Sequence, residues 1–473
     1  MQASSRPRQR LPVVPPGQSR RGRLARALAW AGTGLLVLTL TAASASAQGL
    51  YIIHDAEIEA LLSDYARPLF EAAGLGRQRV RVRIVRNTDF NAFVLDGRNV
   101  FINTGALLQA ETPNEVIGVI AHETGHIRGG HIASLQAKIA HDSNSNLLLK
   151  LIGIGAIMAG SIAGKDNGGE IGTGAGQSIL SGADMVTIRS ILSLRRAQEG
   201  AADQAGVSYL NATRQSANGM LRTFQRFAED ELYSDRPKNP YVVSHPMAQN
   251  RISQLAELSQ RSPYFDTKDP PELQLRHDLM RAKLSGYLEP SKVLNSYPPG
   301  DTSLPARYAR AYAAVYSSGI GEAMPKVDAL IEADRSYAYF WELKGDLLMR
   351  KGDAEAAIAP LKKALQLAKN DPQLHVKLGQ AMTASQNKAY LKEAIAHLRK
   401  GLVDGDNPMG LRQLATAYSQ AGEEGLAYLN FAKAAGLEGK LDEAKNFATR
   451  AQAFFPADSA IWLQADDIIS IKP

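Results

Sequence analysis

Two histidines four residues apart, with a glutamate after the first, occur at His122-Glu123-Thr124-Gly125-His126. In a helix, positions i and i+4 lie on one face, so both imidazoles can turn toward a single metal ion. Glu123 then stands beside the first ligand, placed to take a proton from water at that metal. That is the arrangement of a zinc-dependent peptidase. A chain with 9 histidines in 473 residues would hold roughly 0.01 such matches by composition, so chance explains little.

The surroundings read as helix. Thr112 is a good N-cap, Pro113 suits the first helical position, and Glu115 completes a T-x-x-E capping box. Val116, Ile117, Val119, Ile120 and Ile127 supply apolar residues for burial. Gly129-Gly130 ends the run, so the helix is expected over 113–128.

A catalytic zinc takes three protein ligands and keeps one position open. His131 is one residue out of register for H-E-x-x-H-x-x-G-x-x-H, whose last histidine would fall at residue 132, an isoleucine. A better source is Arg195-Arg196-Ala197-Gln198-Glu199-Gly200-Ala201-Ala202-Asp203. Glu199 and Asp203 are four apart on a helical pattern and share a face. Glu199 can ligate the metal. Asp203 can accept a hydrogen bond from the distal nitrogen of a ligating histidine and fix its orientation.

H-E-x-x-H followed by E-G-x-A-D resembles the family-48 zinc metallopeptidases, the gluzincin family that includes the prenyl protease and the bacterial heat-shock protease. Asn91-Ala92-Phe93 with Gly97–Gly105 is similar to the strand before that family's zinc helix. Ser244-His245-Pro246 with Arg251-Ile252 is similar to its C-terminal element. The resemblance spans 50–260 and implies one Zn2+ per chain, held by His122, His126 and Glu199, with Glu123 as base and Asp203 behind the ligands. It also makes His245 or Arg251 the donor to the oxyanion. His245 is a candidate fourth ligand as well, in which case it would displace water and act as a latch. Within the family, exported members with a C-terminal repeat domain are the most similar. That implies degradation of misfolded or stalled envelope proteins, outer-membrane β-barrel precursors above all, with the repeats docked to an assembly complex.

The N-terminus reads differently from the rest. Residues 1–26 hold seven arginines and no acid, 27–43 are apolar, and Ala45-Ser46-Ala47 is an A-x-A signature. Residues 1–47 are therefore expected to be a cleaved signal peptide, which places the mature chain in the periplasm. Without them Lys+Arg falls from 54 to 47 against 47 Asp+Glu. The pI of 9.3 thus belongs mostly to the leader, and no nucleic-acid partner is implied. The chain has no cysteine, so no disulfide stabilises it.

Along the chain, 50–75 reads as a helix and 79–86 alternates as a strand. Phe93–Leu95 and Asn99–Asn103 around Asp96-Gly97 read as a hairpin whose edge strand could pair with an extended peptide. Residues 141–185 combine an apolar run at 147–163 with a Gly-rich stretch. We expect a mobile lid there, with peripheral membrane contact through 147–163. Residues 266–302, rich in proline, read as a linker with a degenerate helical pair. From 303 to 473 the chain repeats. Trp341, Gly345, Leu348, Gly352, Ala357, Leu361 and Ala364 fit a tetratricopeptide unit. Leu378-Gly379 with Ala394, Leu398 and Gly401 fit a second, with an insertion at 387–389. Leu414–Ala427 begin a third, and Phe431–Pro456 fit a last one.

The expected architecture is α+β: a mostly helical zincin-type metalloprotease domain (48–265) with a small sheet, then an all-α tetratricopeptide-repeat solenoid. The expected activity is that of a zinc metalloendopeptidase on unfolded or misfolded protein. The alternative is a periplasmic chaperone or scaffold whose latent zinc site is secondary to binding by the repeats. An integral-membrane protease is disfavoured by the lack of clear spans after residue 47.

Overall fold

The structure is a computed structural model that describes residues 50–142, 182–233 and 239–472. The leader at 1–47 and the apolar and Gly-rich run at 147–176 lie outside the described residues. Among the described residues, no helix is long and apolar enough to cross a membrane.

A four-stranded sheet and a helical cluster share the first core. The strands are β1 (Ile52–Ile53), β2 (Arg81–Val85), β3 (Ala92–Val94) and β4 (Asn99–Asn103), in the order β1-β2-β4-β3. β2 and β4 are parallel, with Ile84 opposite Ile102, and β3 and β4 are antiparallel, with Phe93 opposite Phe101. Asp96 holds the turn by accepting from the backbone N–H of Arg98 and Asn99, both at 2.7 Å. β3 is an outer strand of the sheet.

Four helices build on the sheet, two packed against it and two against one of that pair. They are α1 (Ala56–Ala72), α3 (Pro113–Arg128), α5 (Gly182–Ala212) and α6 (Asn218–Tyr233). The short α2 (Thr104–Gln109) and α4 (His131–Asp142) flank α3. Every residue of α3 from Pro113 to His126 is buried. A helix enclosed on all sides must satisfy its polar side chains inside the protein, and α3 carries His122, Glu123 and His126. Its start differs from the capping box that the sequence implies. Thr112 makes no side-chain cap, and its hydroxyl accepts from Arg222 instead. The N–H of Asn114 is taken by Asp269 at 3.0 Å. Glu115 reaches the N–H of Glu111 and ion-pairs with Arg222 and Arg226. Tertiary partners thus replaced the local cap.

Next come α7 (Pro240–Ser244), α8 (Gln249–Gln260), α9 (Pro271–Leu288) and α10 (Val293–Ser296). The segment read as a linker with a degenerate helical pair holds α9 and α10, and α9 serves two cores. Met280 and Leu284 pack into the first, with the sheet and α1. Leu279 and Ala282 pack into the second, with Tyr308, Val327 and Phe340. Its His277 is fully buried, 3.1 Å from the Tyr65 hydroxyl and 2.9 Å from Ala110 O.

The remaining helices stack as antiparallel pairs: α11 (Leu304–Ser317), α12 (Ile320–Ala333), α13 (Ala338–Arg350), α14 (Ala354–Leu367), α15 (Pro372–Ala384), α16 (Leu391–Gly401), α17 (Pro408–Gln420), α18 (Glu424–Leu437), α19 (Leu441–Gln452) and α20 (Ala460–Ile469). A Cβ on Gly345 would sit 2.5 Å from Leu361 Cγ, which is why a small residue recurs where α13 crosses α14. The insertion at 387–389 falls at a 3-10 turn, Lys388–Tyr390. The third and last repeat units read in the sequence share α18, so one helix closes one unit and opens the next.

Candidate active site

Two helices bring the site together. α3 presents His122, Glu123 and His126, and α5 presents Glu199 and Asp203. They cross closely because Gly125 has no side chain. A Cβ there would lie 2.9 Å from Ala202 Cα and from Ala202 O. The loop after α7 adds His245, and α8 adds Arg251.

His122, His126, Glu199 and His245 are buried, and each offers one donor atom within 4.8 Å of the other three. His122 Nε2 lies 3.1 Å from His126 Nε2 and 3.4 Å from Glu199 Oε2. His126 Nε2 lies 3.5 Å from Glu199 Oε1. His245 Nδ1 lies 3.3 Å from His122 Nε2 and 3.0 Å from Glu199 Oε2. The ring of His245, a candidate fourth ligand, turns inward to the other three donors. Its stacking on Tyr241, at 4.7 Å between ring centroids, holds it there.

Glu123 is fully buried, and neither carboxylate oxygen has a hydrogen-bond partner. His245 Nε2 lies 3.4 Å from Glu123 Oε1. Burial pushes the Glu123 carboxyl above its ordinary value, against the pull of His245 and His122. Burial would lift Glu199 too, but His245, His122 and His126 hold it well below the usual carboxylate range. Burial lowers His126 strongly. Burial also works against the charge on His122, yet hydrogen bonds to Asp203 and Glu199 raise it to about 9. The cluster is a buried carboxylate facing imidazole lone pairs, an environment that favours one added positive charge.

Behind the donors stands a second layer. Asp203 Oδ1 lies 2.9 Å from His122 Nδ1. Arg251 grips Asp203 through Nε at 2.6 Å and Nη2 at 2.8 Å. Its Nη1 reaches Glu199 Oε2 at 3.0 Å and Pro246 O at 3.1 Å. The resemblance implied an oxyanion donor at Arg251; here all three of its guanidinium nitrogens are engaged by Asp203, Glu199 and Pro246. Arg195, which the sequence did not single out, donates to Ser244 O at 2.6 Å. The His245 loop is thereby held by an arginine on each side. His131, one residue out of register as a ligand, puts its Nδ1 2.9 Å from His126 Nδ1.

Between β3 and α4 a 140 Å³ cavity opens onto Glu123 and His126. Phe93, Val94, Leu95, Ile132 and Leu135 form its apolar walls.

Residues 53–259 match peptidase family M48, and residues 345–385 match the TPR repeat. The chain is a metalloprotease whose residues 53–259 are similar to peptidase family M48. Among its relatives is the β-barrel assembly-enhancing protease of Escherichia coli O157:H7, 22% identical over 422 residues, covering 85% of this chain and 80% of that protein. A putative β-barrel assembly-enhancing protease of Vibrio cholerae is 25% identical over 212 residues, covering 45% and 41%. The metalloprotease LoiP of Escherichia coli K12 is 26% identical over 201 residues, covering 40% and 72%. The M48 match contains all seven site residues read from the sequence: His122, Glu123, His126, Glu199, Asp203, His245 and Arg251.

Proposed function

We propose that this metalloprotease is a zinc endopeptidase of the bacterial periplasm that cleaves unfolded or stalled outer-membrane β-barrel proteins. The observation that carries the activity is the buried cluster of His122, His126 and Glu199 beside an unpartnered Glu123. Two imidazole nitrogens and one carboxylate oxygen are the donor types that zinc takes. Once a cation replaces the shared proton, the Glu199 carboxylate and the two imidazole lone pairs can be directed at it. His122, His126 and Glu199 would hold it. Bound there, zinc supplies a Lewis acid that polarises a carbonyl and makes water easier to deprotonate.

The chain's own residues supply the rest. Glu123 takes a proton from the attacking water as oxygen bonds to the scissile carbonyl carbon. It then passes that proton to the amine nitrogen as the C–N bond breaks. A carboxyl raised by burial suits a group that must hold the proton between those steps. Asp203 orients His122, and Arg251 braces Asp203 and Glu199. An extended substrate can add to the outer edge of β3 and present its backbone to Glu123. A cavity of 140 Å³ accepts one apolar side chain of that substrate, since about 150 Å³ holds a benzene ring.

His245 supports a regulated site. Its Nδ1 completes the donor set, so in the resting protein it stands where water would enter. Opening requires the loop to leave Arg195 and Arg251. The β-barrel substrate class rests on the relatives named for that assembly, and the periplasmic location on the reading of 1–47. The repeats would dock to the assembly machinery.

The test compares wild type with Glu123→Gln for zinc content and for degradation of an unfolded β-barrel precursor. We expect the variant to retain zinc and lose proteolysis. Undiminished proteolysis would remove Glu123 from the chemistry.

A further inference from the structure

A histidine that binds metal through one ring nitrogen needs a partner for the other, because that contact fixes both the tautomer and the plane of the ring. His122 has Asp203. Among the described residues, no carboxylate or backbone carbonyl is hydrogen-bonded to the Nδ1 of His126. The atom there is Nδ1 of His131, 2.9 Å away, with the two ring planes at 83°. The opposite edge of His126 faces His122 and Glu199. The ring thus has a ligand edge and a His131 edge.

We infer that His131 is a positioning residue that accepts the Nδ1 proton of His126 and holds that imidazole in its metal-binding orientation. The inference rests on the zinc reading above. With Nε2 of His126 given to the metal, its proton must sit on Nδ1, which makes His126 the donor. His131 must then accept through Nδ1 and carry its own proton on Nε2.

The local chain is built for this contact. Gly130 has φ of 62° and turns the chain from α3 into α4, so His131 opens α4 directly beside the end of α3. Gly129 lets the ring fold back. A Cβ on residue 129 would lie 2.3 Å from His131 Nε2 and 2.7 Å from Cδ2. Gln198, next to Glu199 on α5, donates to His131 O at 3.3 Å. The turn between the two helices therefore puts a hydrogen-bond acceptor, not a ligand, at residue 131.

A neutral imidazole is a weaker acceptor than a carboxylate. His126 should therefore be less firmly set than His122. The loss at His131 should fall at the low end of the roughly 10–100-fold range typical for such partners, and the loss for Asp203→Ala at the high end.

The experiment uses the full chain and measures zinc Kd by competition with a chromophoric chelator. Melting temperature of the metal-free protein is read in parallel. His131→Ala removes ring and acceptor, His131→Phe keeps the ring but not the acceptor, and His131→Asn keeps an acceptor near the Nδ1 position. We expect Kd to rise about tenfold for Ala and Phe and to stay near wild type for Asn. The metal-free melting temperatures should stay together. Gly129→Ala, which displaces the ring and leaves His131 in place, should raise Kd in the same direction. A Phe variant that binds as tightly as wild type, or an Asn variant as weak as Ala, overturns the inference while leaving the zinc site standing. A wild type that takes up no zinc removes the site reading and the inference with it.

Discussion

At the residue scale, the site separates groups that would meet a metal from groups that contact those groups. Glu123 is the exception: buried, unpartnered and raised in pKa, it is costly to the fold unless it is used. His245 is the residue whose role the geometry bears on most. As a latch it blocks water. As an oxyanion donor it would stabilise charge on the substrate instead. His245→Ala separates these, read as initial rate on an unfolded protein substrate. The inward ring beside Glu199 leads us to expect a faster rate. A fall of roughly 10²–10³ would assign the oxyanion role. An unchanged rate would remove His245 from both.

At the element scale, β3 and α9 carry consequences beyond their own residues. Just before β3, Asn91 O accepts from Asn103 N at 2.9 Å. Alternation along an antiparallel ladder then turns the N–H and C=O of Val94 to the outer edge. Val94→Pro deletes that outward N–H without removing a ladder bond. It should raise KM with little change in folding stability, whereas Val94→Ala, which keeps the N–H, is the control for the altered pocket wall. Equal KM in the two variants would rule out strand addition there.

α9 supplies a pH dependence. Burial lowers His277 from 6.5 to about 4, so the folded protein keeps it neutral while the unfolded chain protonates near 6.5. The unfolded state binds the extra proton between those values, and stability falls as pH drops from 6.5 toward 4 and is flat below. The effect is of order 3 kcal/mol. Urea unfolding at stepped pH should show a shallower loss for His277→Gln, which retains hydrogen bonding but does not titrate. Parallel curves would show that the acid sensitivity lies elsewhere.

For the whole molecule, protease and repeats are one body around a buried ionic cluster. Lys283 Nζ lies 2.8 Å from Asp55, 3.2 Å from Glu57 and 3.5 Å from Glu342. Tyr308 donates to Glu57 at 2.7 Å, and Lys377 reaches Glu342 at 2.8 Å. The acids come from α1 with its N-cap and from α13, and the lysines from α9 and α15. Burial alone would strip the charge from Lys283, but Asp55 and Glu342 hold its pKa well above the ordinary value. Lys283→Ala should destabilise the chain by about 3–5 kcal/mol, because it leaves buried carboxylates unpaired. Chemical denaturation reads this. A change under about 1 kcal/mol would mean that water or neighbouring groups already carry those charges. A boundary at 265 would cut Met280 and Leu284 out of the first core.

The sequence by itself determined what local periodicity encodes. The i, i+4 pairs on α3 and α5 are legible because helical geometry fixes which residues share a face. The 113–128 helix, the β3–β4 hairpin and the spacing of small residues in the repeats are legible for the same reason. What only the tertiary structure decided lies between elements far apart in the chain. It turned His245 inward, and it committed Arg251 to Asp203 and Glu199. It replaced the Thr112 cap with Arg222 and Asp269. It made α9 a wall shared by two cores, in the segment read as a linker with a degenerate helical pair. Each of these follows from packing and from satisfying buried charge, and neither is a function of neighbours in sequence.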